Sequence, residues 1–483
     1  MIAIVLAILA PVLVAAVAPF VAPLQARRLT IAVGIGVACI GIAGVAAGSS
    51  WSIDVAWIPS LESRLSLGSD VLGWSLVALS GGVTAAALAA VPLRERSEVL
   101  DALFAATLAG LVVVFLARDL LVFYVGFEVA LVPMYFIIGG WGEGDRTRAA
   151  LTFFIYTRVG SLAMLLGFVG LALGPGSGGF AFNAIHEPTG IVARWIVAGL
   201  LLGFAVKLPA VPLHAWLPLA HTEAPTEGSI VLASLLLKLG GFGLIRIALG
   251  FTGQTLAQIS GWIIAWGIIS ALWGAIAAYG QSDLKRIVAY SSINHMGYVL
   301  VAVGVAAAAG PQSATAHIAI AGAALQLISH GVLTGALFAV SGAIGERYGT
   351  RDLAQLQGRL RNGTQLGWWF AILALGSVGI PGLSGFAAEV QIVIATVAIS
   401  PIAAVFVALA IVVTTGVFAR AIVMLLFGPN VKSSIPAGPF PAGLRWSLVA
   451  LLITSAVLGL APRLLVDGFS AIRATATNLV SQR

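Results

Sequence analysis

Six ionisable side chains stand in stretches that are otherwise apolar. Glu128 lies in LVFYVGFEVALVPMY, Lys207 ends LLLGFAVK, and Lys238 is enclosed in VLASLLLKLGGFGLI. His295 sits in SSINHMGY, His330 in ALQLISHGVL, and Glu389 follows GSVGIPGLSGFAAE. These residue types suit proton transfer. A desolvated lysine gives up its proton more readily, a desolvated carboxylate holds one harder, and histidine passes protons with small driving forces. If Glu128 pairs with Lys207, the lysine's hold on its proton depends on their separation. Each residue also has a packing alternative: the lysines as members of buried ion pairs, the glutamates as caps of short helices, the histidines as satisfied core residues.

The chain that must position them is far from a soluble composition. Of its 483 residues 60% are hydrophobic and 9% charged, with mean hydropathy +1.06, against roughly a quarter charged in globular domains. About 20 apolar residues cross a bilayer as a helix, so the expected class is an all-α polytopic membrane protein of about 14 transmembrane helices. The expected spans are Ile2 to Pro23, then 29–48, 67–92, 99–116, 118–139, 148–173, 191–217, 228–250, 257–280, 285–308, 313–341, 366–398, 401–427 and 442–463. The six residues fall near the middles of spans 5, 7, 8, 10 and 11 and after a break in span 12. Charges at that depth usually face a bundle interior and mark ion paths. The lone cysteine, Cys39, excludes an intramolecular disulfide or an iron–sulfur cluster and reads as a packing residue. No nucleic-acid surface is legible in the +7 charge, and GPGSGGF at 174–180 lacks the Lys–Ser/Thr end of a phosphate loop.

Two spans are broken. Pro209 and Pro212 follow Lys207, and Gly379, Pro381, Gly382 and Gly385 precede Glu389. Matching breaks point to internal repeats around an ion site. Spans 4–8 and 9–13 form two five-helix repeats with the broken helix fourth in each, and five being odd, the second is inverted. The division expected is residues 1–98 for three leading helices, 99–250 and 251–430 for the repeats, and 431–483 for the last helix and tail. With both termini outside, loops after odd-numbered spans hold fourteen lysines and arginines, including Arg94, Lys285 and Lys432, against six in the others, including Arg473 and Arg483. Glu227 reads as an acid at the N-terminus of span 8; Glu223 is left open, and Asp70 has no role assigned.

The stretches around these residues, together with KLPAVPLHAWLPLAHTEAPTEGS and QSDLKRIVAYSSINHMGYV, resemble the antiporter-like membrane subunits of proton-pumping NADH:quinone oxidoreductase, respiratory complex I. The likeness covers roughly residues 100–430 and is nearest to the subunit M branch, relatives of mitochondrial subunit 4. It implies that Glu128 and Lys207 form a switching ion pair, that Lys238 connects laterally, that His295 and His330 continue the axis, and that Glu389 is the terminal exchange residue. It also implies no cofactor or metal in this chain, with FMN, iron–sulfur clusters and quinone in partner subunits. Implied too are L-like and N-like membrane-arm partners in a bacterial plasma membrane. The alternative is a subunit of a multisubunit Na+/H+ antiporter. Arg158, in FFIYTRVGSL, and Glu227 depart from the family pattern.

Overall fold

Residues 1–361, 365–429 and 440–469 are described by a computed structural model. Among them, thirteen helices are long and apolar enough to cross a membrane, and the shorter apolar helix Ser384–Ile399 completes a fourteenth crossing. In order, spans 1 to 6 are Ile2–Phe20, Pro23–Ala47, Val71–Ala90, Ser97–Leu116, Leu120–Trp141 and Arg146–Ala172. Span 7 is two pieces, Gly190–Lys207 and Trp216–Glu223. Spans 8 to 11 are Thr226–Phe251, Ser260–Tyr279, Leu284–Ala309 and Ala314–Tyr348. Span 12 is again two pieces, Gln365–Ser377 and Ser384–Ile399; spans 13 and 14 are Pro401–Phe427 and Ala442–Leu460.

Spans 8, 10 and 11 are almost wholly enclosed by protein, whereas spans 1 and 2 present most of their surface outward. Those three enclosed helices carry Lys238, His295 and His330. Spans 4 to 8 each contribute at least one phenylalanine to a shared cluster. Phe123 lies 5.7 Å from Phe168, 6.2 Å from Phe204 and 6.4 Å from Phe242, and Phe115 lies 5.3 Å from Phe242. Edge-to-face and offset-stacked rings at such distances add to plain area burial. Small residues let span 8 approach span 7: a Cβ on Gly243 would lie 2.1 Å from the Phe204 ring, and one on Gly240 would lie 2.6 Å from the Phe204 carbonyl oxygen.

Several expectations need correction. Residues 52–68, read as a linker and span start, form an antiparallel hairpin of strands β1 (Ser52–Ile58) and β2 (Ser63–Gly68), so span 3 begins at Val71. Asp70 caps that helix by accepting from the Leu72 and Gly73 amides, and it pairs with Arg246. Lys285, counted as a loop cation, is fully buried and donates to the Ala224 carbonyl. Cys39 is exposed on span 2 rather than packed. Lys432, Arg473 and Arg483 lie outside the described residues.

Candidate functional site

The break in span 7 builds the surroundings of Lys207. Residues 208–215 cannot continue the helix through Pro209 and Pro212, and a broken backbone at membrane depth requires new partners. Span 9 supplies them: the Val211 amide donates to Ser270 Oγ, Trp266 Nε1 donates to the Val211 carbonyl, and Trp273 Nε1 donates to His214 Nε2. The chain then restarts at Trp216, whose Nε1 donates to the Val206 carbonyl. Lys207 is the last residue of the first piece, a helix C-terminus that favours a cation. Its ammonium is ringed by Phe153 at 5.1 Å, Trp216 at 5.7 Å and Phe127 at 5.9 Å, distances at which a ring face attracts a positive charge.

The expected Glu128–Lys207 pair is not formed in this structure. Among the described residues, Lys207 Nζ is buried without a hydrogen-bond partner, and so is Glu128 Oε1. The other carboxylate oxygen, Oε2, is 2.7 Å from Arg158 Nη1.

Lys238 is held differently. Span 8 contains two π-helical turns, Leu232–Leu236 and Leu244–Ala248, flanking the lysine. A π turn skips an α-helical bond and frees a carbonyl. Lys238 Nζ donates at 2.7 Å to the carbonyl of Ala233, five residues back, and lies 2.6 Å from His330 Nδ1. With the lysine as donor, Nδ1 accepts and the neutral imidazole carries its proton on Nε2. Among the described residues that nitrogen has no partner, nor does Nδ1 of His295, whose ring centre is 5.6 Å away. Span 12 breaks after Ser377.

That break is shaped by glycines at positive φ, Gly379 at 77° and Gly382 at 97°, where other residues are strained. The new helix start at Ser384 is tied by its amide to Ser455 Oγ and by its hydroxyl to Ser329, next to His330. Glu389 is buried, with its carboxylate packed on Gly379: a Cβ there would lie 2.4 Å from Oε2.

Of the six residues singled out in the sequence, the structure therefore brings Lys238, His330 and His295 into one contiguous chain. Lys207 sits apart in its aromatic cage, Glu128 is turned to Arg158, and Glu389 stands beyond the break. Tyr298 escaped notice although it lies three residues after His295, on the same helix face; its ring is 6.0 Å from His295. Also missed were His221, buried and stacked on Phe338 at 4.4 Å, and the buried pair Arg27–Asp101.

The ends of the spans carry ordinary paired charges. Glu227 lies in the first turn of span 8, as its sequence position suggests, and also pairs with Arg94 at 2.7 Å. Arg351, in the loop after span 11, pairs with Glu143 at 2.9 Å and Asp283 at 3.1 Å. Burial opposes its charge, but the two carboxylates outweigh that and hold it above the ordinary arginine range. Among the described residues no group of three or more His, Cys, Asp or Glu side chains could hold a metal ion.

Residues 117–417 match the family described as NADH:quinone oxidoreductase/Mrp antiporter, TM. The chain belongs to that family. It is 38% identical over 343 residues to NAD(P)H-quinone oxidoreductase chain 4 of Gloeobacter violaceus, a match covering 70% of this chain and 63% of that one. It is 36% identical over 397 residues to F(420)H(2) dehydrogenase subunit M of Methanosarcina mazei, covering 77% of this chain and 76% of that one. A chain of respiratory complex I from Thermus thermophilus, solved with bound NADH, has the same fold at TM-score 0.87 and 28% identity, with 99% of each chain covered. The likeness to a chain of the Mrp complex from Dietzia sp. DQ12-45-1b is one of fold, at TM-score 0.84 and 22% identity over 99% of this chain and 97% of that one.

Proposed function

We propose that this chain is a proton-translocating membrane subunit of a NADH:quinone oxidoreductase, of the subunit M kind, driven by redox chemistry in partner subunits. The observation that carries the reading is the buried chain Lys238–His330–His295, in which a lysine is held by a carbonyl and an imidazole without a carboxylate. A permanent structural cation would be matched by a counter-charge; a site that loads and unloads a proton is better served by neutral partners that can pass it on. Protons would move along Glu128, Lys207, Lys238, His330, His295 and Glu389. Movement of Glu128 toward Lys207 favours the charged lysine, and movement away favours release toward Lys238. The division at 99–250 and 251–430 makes each five-helix repeat one half of this path.

Membrane-arm partners are supported by the outer face of spans 5 and 6. There Glu128 and the third-exposed Arg158 stand among Val125, Val129, Ile155 and Val159. Hydrocarbon penalises such charges at mid-depth, and another subunit covering the face removes the penalty. The site belongs in a bacterial plasma membrane, with both termini on the outer side.

In the intact complex reconstituted into vesicles, Lys207→Ala is expected to assemble and to lose most proton pumping and coupled turnover; normal pumping would refute the assignment. The family description and the Mrp fold likeness support a second reading, a cation/proton antiporter subunit. Purification of the native complex decides between them. Peripheral flavin and iron–sulfur subunits accompany an oxidoreductase, and only small membrane chains accompany an antiporter.

A further inference from the structure

We infer that Arg158 is a third member of the first charge switch, a positioning residue that holds the Glu128 carboxylate away from Lys207. The inference rests on the proposed proton path. One carboxylate stands between two cations. Glu128 Oε2 is 2.7 Å from Arg158, while Glu128 Oε1 and Lys207 Nζ are both buried without hydrogen-bond partners among the described residues. The two cations are not equivalent. Arginine keeps its proton under all working conditions, whereas a buried lysine can lose one. Arg158 therefore acts as a fixed charge that competes for Glu128, and Lys207 as the charge whose proton the competition controls.

Their settings differ in the same sense. Lys207 is 1% exposed, so it depends on Glu128 for a counter-charge. The Arg158 side chain lies on the outer face of spans 5 and 6 and 5.4 Å over the Phe154 ring, so the covering subunit proposed above and the ring face remain to its charge when the carboxylate turns away. A Glu128–Lys207 pair with no competitor separates into two unmatched buried charges, which opposes opening. With Arg158 present, opening exchanges one ion pair for another. The two arrangements are then close in free energy, as a bistable element requires.

The test uses the reconstituted complex. In Arg158→Gln, cryo-EM is expected to show the Glu128 carboxylate turned to within ion-pair distance of Lys207, with proton-coupled turnover several-fold slower and assembly unchanged. Arg158→Lys, which keeps a cation, is expected to recover most of that turnover. Because Arg158 acts through Glu128, Glu128→Gln/Arg158→Gln should be no slower than Glu128→Gln alone, and this comparison holds even if the single Arg158 variant assembles poorly. Glu128 staying in place, turnover equal to the parent, or an added loss in the double variant would overturn the inference. Normal pumping in Lys207→Ala sinks the proton path itself; loss of pumping there beside a parent-like Arg158→Gln sinks only the role of Arg158.

Discussion

Removing a buried charge has opposite consequences depending on what it leaves behind. Asp101 is fully buried and takes Arg27 Nε on both carboxylate oxygens, at 2.9 and 3.0 Å. Asp101→Ala strands a buried guanidinium, a loss of about 3–5 kcal/mol, and should sharply reduce the amount of assembled subunit. Lys238 has no carboxylate to strand. Lys238→Leu removes a desolvated ammonium and is expected to leave the melting temperature unchanged or raise it, while proton pumping is lost. Thermal unfolding in detergent beside pumping in vesicles checks both; a large drop in stability for Lys238→Leu would mark that lysine as structural. The exposed pair Arg64–Asp54 is a control in which Asp54→Ala should change neither quantity. At this scale the sequence showed a charge only where an apolar run surrounded it. Lys207 and Lys238 were legible for that reason. Lys285 was not, because Asp283 and Arg286 beside it give it the look of a loop residue, and burial there is decided by the Ala224 carbonyl, 61 residues away in sequence.

Among the elements, the two interrupted helices do the positioning, and they should fail in different ways from the unbroken ones. Gly379 combines positive φ with contact to the Glu389 carboxylate. Gly379→Ala adds backbone strain of about 1–2 kcal/mol and pushes the carboxylate from its seat, so pumping should fall much further than stability does. Gly416→Ala, in span 13, meets nothing within 4 Å; alanine is the better helix former, by roughly 0.5–1 kcal/mol, and the variant should pump normally. Inner-membrane vesicles assayed by fluorescence quenching separate the two, and equal pumping would mean that the break does not seat Glu389. Proline and glycine punctuation made both breaks visible in the sequence. The π turns around Lys238 were not visible, since VLASLLLKLGG reads as an unbroken helix and the turns arise from packing inside the bundle. The β1–β2 hairpin was overlooked although IDVAW and SRLSL alternate, because the surrounding apolar runs drew residues 67–70 into span 3.

Across the whole molecule, ion pairs and backbone bridges sort the loops into two sets that alternate along the chain. Arg94, after span 3, pairs with Glu227 at the start of span 8 and with Glu346 at the end of span 11. Arg351, after span 11, pairs with Glu143, after span 5, and with Asp283, after span 9. These contacts gather the loops after odd-numbered spans at one end. At the other end, Leu67 of the hairpin bridges to Ala117 after span 4, Asp119 bridges to Ala181 after span 6, and Asp70 pairs with Arg246 near the end of span 8. An error of one in the number of crossings would mix the sets, so the alternation supports counting both broken helices as full spans. It does not say which end faces the cytoplasm. That rests on the excess of lysine and arginine in the first set, which the positive-inside rule assigns to the cytoplasm. In a Cys39→Ser background, a membrane-impermeant maleimide applied to intact cells should label Pro175→Cys, in the loop after span 6, and leave Thr147→Cys, at the start of span 6, unlabelled until the membrane is opened. The reverse pattern would place both termini inside and exchange the two ends of the proposed proton path.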